Sequence, residues 1–484
     1  MLDWLAQSAR ANPHGIALEY AERRWTYAAL DDAAGRMGGW LSAQDVRANA
    51  RVAVLMDASA DMVVLIHALI RVGAVLVPLN TRLTPDELAY QVTLARVDAL
   101  VYTGDHYAKT AGALPCPLKV DLRALDTSVP PVSPRVLDLD APQAIIFTSG
   151  TSGRPKGVVL TYANQYASAV ASAFRIGTLP SDRWLCVLPL YHVGGLAILL
   201  RSALYGTGVI LQRGFDVAQV NAAIDAGATL VSLVPTMLYR LLAARTTPPP
   251  HLLRLILLGG AAADPELVRR CQALNIPIAT TYGLTEACSQ VATQTPQATE
   301  HKPGSVGRAV PGTHIRVVTE SGMEAAVGEY GEIVVSGPTV MQGYFDNPQA
   351  TADALRSGAL HTGDIGCFDE DGDLWIVQRR SDLIVTGGEN VYPAEVEAAL
   401  RAFPGVQDAC VVGIPDSEWG QRVAAAVMPV SGAEIALEEL LAFARGRLAG
   451  YKVPRMIRLL DALPLTASGK IERRAVQELL TGSG

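Results

Sequence analysis

Hydrophobic and polar positions along this chain alternate between two periods. "RVAVLM" (Arg51–Met56) and "GAVLVPL" (Gly73–Leu79) are continuous apolar runs of strand length, and a helical pattern lies between them. The most apolar stretch, "MVVLIHALIRVGAVLVPLN" (Met62–Asn80), is broken by His67, Arg71 and Gly73. It predicts a helix, a glycine stop and a buried strand rather than a membrane span. "TPDELAYQVTLARV" (Thr84–Val97) opens with Thr as N-cap, Pro at the first helical position and Glu87 three residues on, which predicts a capped helix. The strand-like "DALVYT" follows. Alternating strand and helix argues for layered α/β architecture.

The proline- and aspartate-rich "DTSVPPVSPRVLDLDAPQ" reads as a surface connector, and "TTPPPH" (Thr246–His251) as a second break. After about Glu300 the turns become glycine-dense ("KPGSVGRAVPG", "ESGMEAAVGEYGE", "DEDGDLW"), which predicts a small β-rich subdomain. From about Ser381 short α/β elements return, leaving about a hundred residues for a separate domain. The fold class expected is α/β: a large N-terminal domain, residues 1–380, of layered α/β subdomains plus a small β-rich subdomain, then a small mobile α+β C-terminal domain, residues 381–484.

Composition narrows the function classes. The chain has 484 residues, 50 % hydrophobic and 18 % charged, with net charge −7. Nucleic-acid binding usually shows as a basic surface, so that balance does not support it. The N-terminus "MLDWLAQSARANPHG" lacks a basic region followed by an apolar core and does not read as a secretory signal. Six cysteines stand at 116, 186, 271, 288, 367 and 410, without CxxC spacing, and HExxH is absent. A zinc site and a disulfide scaffold are disfavoured, and a cytoplasmic enzyme with reduced thiols is expected.

The strongest chemical signal is "IIFTSGTSGRPKGVVLTYAN" (Ile145–Asn164). An apolar run leads into Thr148, Ser149, Gly150, Thr151, Ser152 and Gly153, with Lys156 closing the loop. Glycines let backbone N–H groups close on an anion, and the hydroxyls and lysine add donors and charge. Triphosphate binding fits. The loop is not a Walker A motif, because Lys156 is followed by Gly157 and then by a β-type run. A plain Ser/Gly-rich hairpin is the alternative.

A second anomaly is Arg201, inside the apolar run "GGLAILLRSALYG". An unpaired buried guanidinium is costly, so it should reach water or find an anion. The plain alternative is a helix arginine that extends to the surface or pairs with a structural acid.

"TSGTSGRPKG" resembles the phosphate loop of the adenylate-forming superfamily of acyl-CoA synthetases, luciferases and peptide-synthetase adenylation domains. Four further segments match in the family's order: "TYGLTEA" (Thr281–Ala287), "HTGDIG" (His361–Gly366), "QRRSDLIVTGGENVYPAEVE" (Gln378–Glu397) and "LPLTASGKIERR" (Leu463–Arg474). The resemblance implies two half-reactions. A carboxylate attacks the α-phosphate of ATP, releasing pyrophosphate, and a thiol, usually of coenzyme A, then displaces AMP.

Residue by residue, the resemblance makes Lys470 the lysine bridging carboxylate and phosphate, and Glu286 the Mg²⁺-binding glutamate. Thr285 donates to the α-phosphate, and Tyr282 offers a face to adenine. Thr281, Gly283, Gly260 and Ala261 complete the nucleotide contacts. Asp364 accepts from the ribose hydroxyls and Arg379 assists it. Without the family, "TYGLTE" reads as a strand and turn with an N-cap threonine, and Lys470 as a solvated surface lysine. The family usually has Gly before the arginine where this chain has Gln378. Ser381 takes the hinge position, often aspartate or lysine in relatives. The resemblance also implies a C-terminal domain that swings between half-reactions, with Gly387 and Gly388 lining the thiol channel.

For the acid, an aspartate marks amino-acid-adenylating relatives near "LPLYHVGG", and this chain has none there. A fatty-acid tunnel would be poorly lined by Arg201. "LPLYHVGGLAILLRSALYGTGVIL" and "TYGLTEACSQVAT" look most like the branch that activates 2-succinylbenzoate, an aromatic dicarboxylate of menaquinone synthesis. Its benzoate carboxylate stays charged and suits a bidentate arginine. Arg201 is the candidate partner, Ser289 a further donor, and His192 a residue at the junction of acyl pocket and thiol channel. Plain loop or core roles remain the alternatives for Ser289, Gln290 and His192. Competing functions are a ligase for a monocarboxylic fatty or benzoic acid, a non-catalytic nucleotide binder, and an acyl-AMP supplier to a carrier protein. Expected partners are the acid, ATP and CoA, without nucleic acid or membrane span; a homo-oligomer stays open.

Overall fold

The computed structural model describes residues 1–83, 85–148, 155–260, 263, 265–379, 384–386, 389–391, 393–416, 419–448, 450–466 and 469–482. The expected helix cap Thr84 and the domain boundary at 380/381 lie outside them. Two compact units form. One comprises residues 1–315, 334–361 and 372–374, and the other residues 316–333, 362–371 and 375–484.

Two large sheets build the first unit. A seven-stranded sheet runs in the order Gly343–Tyr344, Lys156–Thr161, Pro142–Thr148, Val75–Pro78, Arg51–Leu55, Ala99–Tyr102 and Leu118–Asp121. Its inner strands are parallel, while the hairpin Pro142–Thr148/Lys156–Thr161 and the edge strand Gly343–Tyr344 pair antiparallel. The parallel strands are buried on both faces, which is why they read as unbroken apolar runs. Their crossover helix Ala60–Val72 starts where the Ser59 side chain accepts from Met62 N–H and ends at Gly73, whose φ of 83° favours glycine.

A nine-stranded sheet runs Arg308–Ala309, Ser289–Thr293, Ile278–Leu284, Leu255–Leu258, Leu230–Leu233, Arg183–Cys186, Gly208–Leu211, Ile16–Tyr20, Arg23–Thr26. Helices pack on it around Leu185, Val231, Leu238, Ile256 and Leu267. The expected surface connector is anchored as well as exposed: Val132 N–H donates to Gly35 O at 2.9 Å, and Leu137 is buried.

In the region of glycine-dense turns, His314–Val318, Gly331–Ser336, Ala359–Phe368, Leu355–Arg356 and Leu374–Arg379 form a five-stranded sheet. The C-terminal part of the second unit has a five-stranded sheet of its own, built on the long hairpin Val406–Asp416/Gly420–Pro429. Alternation along that hairpin sends Ala409, Val411 and Val423 to one core and Cys410, Val412 and Ala424 to another. Helices Pro393–Arg401 and Leu437–Arg445 cover the first core, and Arg473–Thr481 the second. The result is the mixed α/β class expected from the pattern. Among the described residues no helix is long and apolar enough to cross a membrane.

Candidate active site

The phosphate-loop segment is a β-hairpin. Thr148 ends one strand and pairs with Lys156, which begins the next. Ser149, Gly150, Thr151, Ser152 and Gly153 lie outside the described residues, as do Ala261, Ser381, Gly387, Gly388 and the side chain of Arg379. Gly157 has to be small, because a Cβ there would sit 2.7 Å from Ile145 Cγ2. The Lys156 ammonium lies 5.0 Å from the centroid of the Tyr344 ring, within cation–π range.

Tyr344 is placed by its own edge strand, which registers it opposite Val158. From there its phenol O–H donates to Glu286 Oε1 at 2.9 Å. Burial, then the charge of Glu286 and this hydrogen bond, push the Tyr344 phenol far above its ordinary pKa, so it stays a donor. Glu286 is further held through its backbone, whose carbonyl accepts from Met341 N–H at 2.8 Å. Thr285 and Glu286 sit in the short turn Thr285–Ala287 directly after strand Ile278–Leu284, which carries Thr281, Tyr282 and Gly283. No side-chain cap opens that turn, so Thr285 is not the N-cap that the bare pattern suggests. Gly283 faces the returning strand: a Cβ would meet Ser289 O at 1.6 Å. Gly260 takes the left-handed backbone, φ 80°, just after strand Leu255–Leu258.

Mg²⁺ binds through one or two carboxylates plus substrate phosphates rather than an all-protein cage. The residues fit that habit. Glu286 Oε2 carries no hydrogen bond among the described residues, and these contain no group of three or more His, Cys, Asp or Glu that could hold a metal ion.

Two of the residues expected on the acyl side, His192 and Arg201, belong to helix Val193–Tyr205 and its cap. His192 is its N-cap, exposed, with its ring edge-on to Tyr191; it is not a core histidine. A Cβ on Gly195 would sit 2.3 Å from Pro189 O, so the helix start presses against the chain that feeds it. Arg201 lies about 13 Å further along the axis from His192. It neither reaches the surface nor pairs with an acid. The residue is 3 % exposed, and among the described residues it makes no ion pair. Its Nε donates to Ala197 O at 3.1 Å, and its Nη1 donates to Ser172 Oγ and Gln290 Oε1, both at 2.9 Å. The guanidinium lies 5.2 Å from the Trp184 ring centroid. Burial pulls its pKa below the ordinary value, with Tyr205 and Cys288 opposing. Ser289, half-buried, has φ 93° beside Cys288 with φ 51°, two left-handed non-glycine residues in a row.

Burial pushes the thiols of Cys186, Cys271 and Cys288 up to about 12, which leaves no reactive thiolate there. None of the five motifs in the sequence singles out Tyr344 or Trp184, and Gln290 stands open there between a loop role and a site role. The edge-strand "GY" pair and the "SQ" after the glutamate motif are the signals that mark two of them.

In the second unit Asp364 is buried within strand Ala359–Phe368, and its N–H donates to Thr362 Oγ1 at 3.1 Å. Lys470 is exposed in a closed turn, where Thr466 N–H donates to Lys470 O at 2.7 Å and Lys470 N–H to Thr466 Oγ1 at 3.2 Å. The turn leads into helix Arg473–Thr481, anchored by the ion pair of Arg473 with buried Glu397, whose Oε1 also accepts from Val411 N–H at 2.8 Å.

The hairpin whose second strand begins at Lys156, the half-buried Glu286 at a strand end and the helix that carries buried Arg201 are the features to be set beside known proteins. Residues 5–345 match the AMP-binding enzyme family and residues 395–470 the AMP-binding enzyme C-terminal domain. The chain belongs to that family, and it is an AMP-forming acid–CoA ligase. It is 40 % identical, over 97 % of its length and 98 % of the relative's, to 2-succinylbenzoate–CoA ligase of Bacillus licheniformis. It is also similar to the o-succinylbenzoate CoA synthetase of Bacillus subtilis in complex with its acyl-adenylate (TM-score 0.92, 36 % identity, covering 99 % of this chain and 98 % of that one). With the same Bacillus subtilis enzyme holding ATP and a magnesium ion, the TM-score is 0.91 at 36 % identity, with coverage of 98 % and 99 %.

Proposed function

We propose that this chain is an ATP-dependent ligase that joins 2-succinylbenzoate to coenzyme A, a step of menaquinone synthesis in the cytoplasm. In the first half-reaction an oxygen of the succinyl carboxylate attacks the α-phosphate of ATP. A new P–O bond forms, the bond to the β-phosphate breaks, and pyrophosphate leaves. In the second, the CoA sulfur attacks the acyl carbon, AMP leaves with the C–O bond electrons, and the thiol proton passes to solvent.

Fixed positive charge and donors aimed at the phosphates are what this chemistry needs. Lys156 and the loop from Thr148 cradle the phosphates, and Thr285 donates to the α-phosphate. Tyr282 stacks on adenine, flanked by Thr281, Gly283, Gly260 and Ala261. Asp364 accepts from the ribose hydroxyls beside Arg379. Glu286 would hold Mg²⁺ through Oε2 together with phosphate oxygens; the ion supplies charge neutralisation there. Lys470 bridges the attacking carboxylate and the phosphate. The swing between half-reactions is assigned to residues 381–484 with Ser381 as hinge, and roles in the thiol path to Gly387, Gly388 and His192.

One observation carries the identity of the acid. Arg201 is a buried, charged donor surrounded by neutral partners, and a second substrate carboxylate supplies the missing anion. Ser289 donates beside it. The test is CoA-dependent pyrophosphate release with 2-succinylbenzoate, benzoate and a medium-chain fatty acid, for wild type and Arg201→Leu. The dicarboxylate should be preferred, and the variant should lose about a hundredfold in kcat/KM on it alone, as a charge-assisted hydrogen bond implies. Equal wild-type activity on the monocarboxylates would overturn the reading in favour of a fatty- or aryl-acid ligase.

A further inference from the structure

We propose that Gln290 is a positioning residue that presents Arg201, still fully charged, to the second carboxylate of the substrate. The inference rests on the role given to Arg201 above and adds the device that makes the role work.

Gln290 is 2 % exposed, and its amide orientation follows from its neighbours. Thr281 Oγ1 uses its hydrogen on Ala292 O at 2.9 Å. The contact of Thr281 Oγ1 with Thr293 Oγ1, 2.8 Å, therefore takes its hydrogen from Thr293. Thr293 Oγ1 is then free to accept from Gln290 Nε2 at 2.9 Å. With its nitrogen committed to that side, Gln290 turns Oε1 to Arg201 Nη1. The chain runs from Thr281, at the head of the nucleotide motif, to the guanidinium without a charged member.

Both the neutrality and the geometry matter. Ala197 O, Ser172 Oγ and Gln290 Oε1 occupy Nε and Nη1. Among the described residues Nη2 has no hydrogen-bond partner. Its two N–H groups are the free edge that a carboxylate can take. A carboxylate in place of the Gln290 amide would form a buried ion pair and remove the charge the substrate needs, an effect that low dielectric strengthens. The approach to Gln290 is strained: Cys288 and Ser289 both have positive φ, and Ser168 Oγ holds Cys288 O at 2.6 Å. Strain of this kind persists where the surroundings dictate a side chain's direction.

The test compares Gln290→Glu, Thr293→Val and Arg201→Leu in the full-length enzyme. Gln290→Glu is close to isosteric and should raise KM for 2-succinylbenzoate tenfold or more. Its kcat on that acid, its KM for ATP and its residual turnover of benzoate should stay within twofold. Thr293→Val frees the Gln290 amide to rotate and should raise the same KM severalfold; it decides the question if Gln290→Glu does not fold. An unchanged KM in the variants, with KM raised in Arg201→Leu, would overturn the positioning role and leave the Arg201 reading intact. A uniform loss on every acid, with a lowered unfolding midpoint, would make Gln290 a structural residue and also overturn it. If Arg201→Leu itself loses all acids equally, the Arg201 reading falls instead.

Discussion

Tyr344 and Glu286, 58 residues apart, meet through a 2.9 Å hydrogen bond from phenol to carboxylate. One side comes from a two-residue edge strand and the other from a turn at a strand end, so the bond fixes the carboxylate from outside its own element. Partners of this kind orient metal-binding carboxylates, and removing them typically costs about 10–100-fold in metal affinity. Tyr344→Phe should therefore raise the Mg²⁺ concentration needed for half-maximal adenylate formation about tenfold, and weaken the Mg²⁺ dependence of ATP binding measured by calorimetry. An unchanged Mg²⁺ titration would reduce Tyr344 to a packing residue.

Lys470 is exposed, and the turn that presents it is closed by backbone groups and Thr466. Lys470→Ala keeps all of these. The variant should unfold at the wild-type midpoint and bind ATP normally, yet form adenylate about 10²–10³-fold more slowly, the scale of losing one aimed donor. Stopped-flow pyrophosphate release measures it, and near-normal release would refute the role given to Lys470.

Gly283 allows strands Ile278–Leu284 and Ser289–Thr293 to approach where their register shifts. Gly283→Ala places a methyl 1.6 Å from Ser289 O, a contact that only backbone movement relieves. The cost should be on the order of 3 kcal/mol, as for overpacking of a rigid site. Denaturant unfolding reads it directly, and a loss below about 1 kcal/mol would show that the two strands can part.

His67 is buried in helix Ala60–Val72, and burial, assisted by Arg71 and opposed by Asp31, lowers its pKa from 6.5 to about 4. Arg71 is itself paired with Asp3 and Asp31. A folded-state pKa below the unfolded one means that the unfolded chain takes up the proton first. Stability is therefore full above about pH 6.5, falls as the pH drops, and levels off below about 4. The swing should be ~3 kcal/mol, at about 1.4 kcal/mol per unit. His67→Leu should flatten that part of a stability-versus-pH curve, and an unchanged slope would rule it out.

Local patterns in the chain determine the elements and the chemistry. The apolar run before the phosphate loop gives a strand because both its faces are buried. Gly73 ends a helix because its φ of 83° is costly for other residues. The five ordered motifs name the adenylating reaction, and Arg201 stands out because a charge in an apolar helix needs a reason. The meaning of that charge is not local. Ser172 and Gln290 lie 29 and 89 residues away from Arg201, on another helix and on a strand of the nine-stranded sheet. Both sequence-based alternatives for Arg201, a route to the surface and an acidic partner, give way to a third, a cage of neutral acceptors. Tyr344 reaches Glu286 for a similar reason, since the seven-stranded sheet takes Gly343–Tyr344 as its edge. Periodicity determines which face of an element is buried. Which distant donor meets which acceptor depends on the order in which strands assemble, and that was decided by tertiary packing alone.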